Sequence, residues 1–215
     1  MGKMERLVRP QINIELENNK YREDLAKLQE TNGWYLLTPR QQKIIRACQL
    51  LQPRAERDMD PNHKNDPYYF DWFKKTEFRP QYQKSLEHIK NLYCHTAIYA
   101  LENESISGEA PRHCPKEFFD AAYFMFTHEF ELKKALEFFG FPCVVHASTE
   151  NGNEYGETTK AHSFLVLGKD HRSDTVVWGK TRIKEPYKVT TLSQVFLDYP
   201  YIKYWGIRKL RGQMV

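Results

Sequence analysis

Two residues of this chain have the types and the spacing for nucleophilic chemistry. Cys94 stands within Asn91-Leu-Tyr-Cys94-His-Thr-Ala-Ile-Tyr-Ala-Leu101, and His162 opens the run Ala161-His162-Ser-Phe-Leu-Val-Leu-Gly168. A thiol that attacks a carbonyl carbon needs a base to take its proton and later hand it to the leaving group. Imidazole is suited to both tasks. The two residues are 68 positions apart, which suits side chains brought together by a fold rather than by a local turn.

Each residue needs an element to hold it. Ala97, Ile98 and Leu101 lie three, four and seven positions beyond Cys94, the spacing of one apolar helix face. Asn91 can cap that helix, which puts the thiol in the first turn at the positive end of the helix dipole. A thiol so placed is expected to titrate in the ~3.5–7.5 range of activated cysteines. His162 begins a β-branched and apolar run that ends in glycine, the pattern of a strand.

The rest of the chain divides by period. Residues 1–66 read as an N-terminal accessory region of helices. One carries Leu16, Tyr21, Leu25 and Leu28 and stops at Asn32-Gly33; the next is capped by Thr38 with Pro39 at its first position. Residues 53–67 have loop composition, with Pro53, Pro61 and Pro67. Helices are expected around Tyr68–Phe73, from Arg79-Pro80 towards Asn91, from Cys114-Pro115 through Phe118, Phe119, Ala122 and Phe126, and from Glu129 to Phe139 with Gly140 as C-cap. Strands are predicted at 141–147, 161–168, 174–182, 187–190 and 200–209, with a short helix capped by Thr190-Thr191 before the last. Helices followed by an antiparallel sheet describe an α+β protein, with residues 67–215 as the catalytic domain.

A cysteine heading a helix and a histidine opening a later strand resemble the catalytic core of the papain-like superfamily. That superfamily is taken in the broad sense that includes NlpC/P60-type amidases and the cysteine-hydrolase effectors of pathogens. The resemblance rests on Cys94, on His162-Ser-Phe-Leu-Val-Leu-Gly168 and on Thr175-Val-Val-Trp-Gly-Lys180, and covers about half the chain. It implies a nucleophile helix packed on an antiparallel sheet, Cys94 as nucleophile and His162 as base. It also implies an Asn, Asp, Glu or Gln on the neighbouring strand to orient the imidazole.

That third group is where the sequence departs from the pattern. A simple hairpin between the strands at 162–168 and 175–181 places Thr181 opposite His162 and Gly179 diagonal to it on the same face. Asp170 and Asp174 fall at the turn, about 20 Å from His162 at ~3.3 Å per residue. Thr181, Glu185 and Glu157 remain as orienting candidates, and Asn91 as an oxyanion donor beside the Cys94 amide. His146 is a second candidate base, and His95 is read as packed rather than catalytic.

Other chemistries find less support. Cys143 and His146 are three apart on a predicted strand and point to opposite faces, so a zinc site with Cys114, His113 and His128 is not expected. No metal or cofactor is implied. Four cysteines without close pairing suggest a reducing compartment. A net charge of +4 spread along 215 residues gives no reason to expect nucleic acid as a partner. No run reaches the ~18 apolar residues of a membrane span, and the first residues lack the apolar core of a signal peptide. A soluble, cytoplasmic protein is expected, and one that could be exported as an effector. The expected partner is a protein or peptide substrate, with the N-terminal helices open to a second protein or bracing the core. Peptide cleavage, deamidation and transamidation share this machinery. The alternative is a catalytically degenerate papain-like fold that serves as a protein-binding module.

Overall fold

A computed structural model describes residues 14–58, 94–104, 124–148, 161–180 and 187–211 of the 215. The described helices are α1 (Ile14–Gln29), α2 (Pro39–Asp58), α3 (Cys94–Glu102), α4 (Glu129–Phe139) and α5 (Leu192–Asp198). The strands are β1 (Phe124–Phe126), β2 (Cys143–Ser148), β3 (Ala161–Lys169), β4 (Thr175–Gly179), β5 (Lys188–Thr191) and β6 (Tyr204–Lys209). They form one sheet in the order β1-β6-β2-β3-β4-β5, and all of its pairings are antiparallel. The chain is α+β.

Alternation of apolar residues on both faces of the central strands makes this a three-layer structure. Val144, Leu165, Leu167 and Trp178 face one way, into a core built with Leu28, Trp34, Ile44, Ile45, Cys48, Ala97, Ile98 and Leu101. The helices on this side are α1, α2 and α3, so the N-terminal helices share a core with the Cys94 helix. Cys143, Val145, Phe164, Val166, Val177, Trp205 and Ile207 face the other way, against Leu132 and Leu136 of α4 and Leu192 and Val195 of α5. Among the described residues no helix is long and apolar enough to cross a membrane.

Two local devices tie the N-terminal helices to the rest of the fold. Thr38 and Gln41 form a capping box at the start of α2: the Gln41 amide donates to Thr38 Oγ1 at 3.2 Å, and the Thr38 amide donates to Gln41 Oε1 at 3.0 Å. Gln41 Nε2 then donates to the Leu101 carbonyl, and Thr38 Oγ1 donates to Glu104 Oε1 at 2.8 Å, so the start of α2 grips the end of α3. The second device is a bulge. β4 pairs Val177 with Val166 but Val176 with Gly168, which leaves Leu167 without a partner on that strand. Its carbonyl accepts instead from the Gly33 amide at 2.8 Å. A Cβ on Gly33 would sit 2.2 Å from that oxygen, so only glycine allows the approach.

The structure departs from the sequence expectations at three places. α2 runs through Pro53 to Asp58, where loop composition suggested a break. A proline inside a helix removes one i→i−4 bond, and the helix continues despite that loss. Phe124–Phe126, expected in a helix, is strand β1, paired with Trp205–Ile207 of β6; pairing with a sheet edge outweighs a helical spacing of apolar residues. The hairpin register is the expected one near His162, with Leu165 opposite Trp178, but the bulge shifts it by one towards the turn. The helices expected at 68–73, 80–90 and 115–122 lie outside the described residues.

Candidate active site

β3 presents consecutive residues to opposite faces, and the site is built from that alternation. His162 lies on the side of α4 and α5. Its ring is 4.3 Å from that of Tyr199 and 6.1 Å from that of Phe164, which is stacked with it. Ser163 lies on the side of α3. Cys94 comes up beside the start of β3, where β2 pairs with Ala161 and His162.

There Cys94 Sγ is 3.9 Å from His162 Nδ1. Both residues are half-buried. The main-chain amides of Ser163, His95 and Cys94 itself are turned towards the sulfur and favour its thiolate. Burial works against them and is the larger effect, so the thiol is held above its ordinary pKa. Burial also brings the His162 imidazole down to about 4. The thiol depression expected from the helix start is therefore overturned: desolvation outweighs three amide donors and the dipole. At neutral pH the resting pair is a thiol beside a neutral imidazole.

Among the described residues no carboxylate or amide side chain meets the other nitrogen of His162. Gly179 stands across from Phe164, and a Cβ there would come within 2.6 Å of Phe164 Cδ1. The place where an orienting side chain was sought on β4 is thus taken by the Phe164 ring. Aromatic packing against Tyr199 and Phe164 sets the plane of the imidazole instead. Asp170 is spent on its own turn, accepting from the Arg172 and Asp174 amides at 2.8 and 3.0 Å. Asn91, Thr181, Glu157 and Glu185 lie outside the described residues.

No family model, curated protein or solved structure matches this chain. The site is read from its own geometry.

Ser163 belongs to a second, largely buried cluster that sequence reasoning did not assemble. Its Oγ is 2.5 Å from His95 Nδ1 and 2.5 Å from His146 Nδ1. Arg208 Nε donates to His146 Nε2 at 3.1 Å, and Arg208 Nη1 pairs with the Glu102 carboxylate. His146, a candidate base from sequence, thus points away from the thiol's partner and into this cluster. Burial holds it neutral, well below the ordinary imidazole pKa, and the nearby Arg208 charge acts in the same direction. The one sequence signal was at His146, which stands between the apolar Val145 and Ala147 on β2. Among the described residues no group of His, Cys, Asp or Glu is arranged to hold a metal ion, and Cys143 and His146 lie on opposite faces of the sheet.

Proposed function

We propose that this chain is a cysteine-nucleophile hydrolase of papain-like build that acts on amide bonds of proteins or peptides. The observation that carries the reading is the approach of Cys94 Sγ to His162 Nδ1, 3.9 Å, beside three main-chain amides. In this reading His162 takes the thiol proton as the sulfur attacks the carbonyl carbon. Because both groups rest neutral, proton transfer accompanies attack rather than preceding it. The imidazolium then protonates the leaving amine, and a thioester to Cys94 remains. Water, activated by the same imidazole, releases the acyl group; an amine in its place gives transamidation, and a glutamine side-chain amide as substrate gives deamidation. The amides of Cys94 and Ser163 are the donors best placed to meet the developing oxyanion, with the Asn91 side chain as a further candidate. Thr181 is the candidate to steady the base.

The test is a panel of thiol-directed peptidyl electrophiles on the intact protein, read by peptide mass spectrometry. The reading expects one adduct, on Cys94, that is lost in Cys94→Ala and strongly reduced in His162→Gln. Adducts spread over the other cysteines, or none, would contradict it. A second reading, a degenerate fold that only binds protein, draws support from the burial that keeps both groups neutral. It expects the biological activity to survive Cys94→Ala.

A further inference from the structure

The buried cluster on the α3 side of the sheet has a direction, and that direction reaches the residue next to the nucleophile. Arg208 can only donate. Its Nε–H therefore requires His146 Nε2 to be an acceptor. A neutral imidazole has one proton, so His146 carries it on Nδ1 and donates to Ser163 Oγ. The hydroxyl has its own proton to place. Among the described residues its hydrogen bonds run to the two imidazoles, and His146 is already the donor in one of them. The remaining acceptor is His95 Nδ1, which leaves the His95 proton on Nε2.

We infer that Arg208, His146 and Ser163 act as positioning residues that fix His95, the residue after Cys94, as the Nε2–H tautomer. Protonating His95 on Nδ1 would make the Ser163 hydroxyl accept from both imidazoles and take away the acceptor of its own O–H. Reversing the chain would set the His146 Nε2–H against Arg208 Nε–H. Glu102 prevents that reversal from being relieved, since its carboxylate holds the buried guanidinium in place. The charged and titratable groups about the chain are Glu102 from α3, His146 from β2, Arg208 from β6 and Arg211 beyond it, with Cys94, His162 and Lys180 on the thiol's side.

The tautomer assignment is independent of any activity. The test is long-range proton–nitrogen NMR on the full chain with labelled histidine, which distinguishes the protonated nitrogen of each ring. Wild type and Ser163→Thr, which keeps the hydroxyl, are expected to show His95 protonated on Nε2 at neutral pH. Ser163→Ala is expected to show His95 exchanging between its two neutral tautomers. An Nδ1–H tautomer in the wild type, or a His95 signal unmoved by Ser163→Ala, would overturn the inference. Failure of Cys94 to take peptidyl probes, with the His95 tautomer fixed as described, would count against the hydrolase alone.

Discussion

Residues 162 and 163 are neighbours on β3, yet the polar groups they join have opposite characters. On the α3 side, Ser163, His95, His146, Arg208 and Glu102 form a closed chain of short contacts in which the direction of each donor is set by the next. At the open start of the strand, Cys94 and His162 stand 3.9 Å apart, half-buried, with aromatic rings rather than hydrogen bonds setting the imidazole plane. A buried, ion-paired polar network costs a great deal to break. A loose pair of neutral groups costs little to disturb and is free to exchange a proton. Most of the chemistry expected of the site therefore falls to the pair, and most of the stability to the chain.

That contrast can be broken by mutation. Arg208→Met should strand the buried Glu102 carboxylate and destabilise the protein by about 3–5 kcal/mol in denaturant unfolding. Cys94→Ala should change stability by no more than about 1 kcal/mol, so equal losses from the two variants would erase the distinction.

Acid should expose the same difference from the other side. The folded state holds His162 at about 4, below the ~6.5 of an unfolded imidazole, so the unfolded chain takes up the proton first as pH falls. Stability from this residue is whole above about pH 6.5 and declines towards pH 4, by roughly 3 kcal/mol. His146 contributes in the same direction. The melting temperature should fall over that window, and fall less in His162→Gln; the same fall in both proteins would show that His162 is not responsible.

Gly179 sharpens the comparison at the edge of the pair. With Phe164 Cδ1 2.6 Å from where a Cβ would stand, Gly179→Ala should cost about 1–3 kcal/mol by crowding. The sequence alone makes Gly179→Glu look like a repair, since glycine leaves an orienting position empty. The ring that fills the space makes it a lesion, and a stable, more reactive Gly179→Glu protein would contradict this.

How much of this was readable beforehand follows the range of the interactions. The helix start at Thr38, the C-cap at Gly140, the Thr191 cap and the strands near their ends are local features, and their residues announce them. The three-layer arrangement was harder, because α1 and α2 look like separate amphipathic helices until Leu28, Ile45 and Cys48 meet Ala97 and Leu165. The bulge at Leu167 depends on an amide from Gly33, far away in sequence, and no pattern within the hairpin signals it. The cluster around Ser163 draws one residue or two from each of three strands and a helix, so no spacing marks it. The thiol's pKa was misjudged because a helix start is visible in sequence and desolvation is not.

The thiols give the smallest and most direct comparison. Burial pushes Cys48 up to about 12 and Cys143 higher still, while Cys94 is only partly buried and faces three amides. Limiting iodoacetamide should label Cys94 ahead of both, with a rate that rises with pH as the raised thiol ionises.

The central claim is that His162 is the base for Cys94, and one measurement tests it most directly: the rate constant for alkylation of Cys94 at pH 7 in wild type and His162→Gln, followed by mass spectrometry of the Cys94 peptide. Loss of a working general base should slow the reaction by about a hundredfold. An unchanged rate, in a variant whose fold is intact by circular dichroism, would contradict the assignment and leave the pair without a catalytic role.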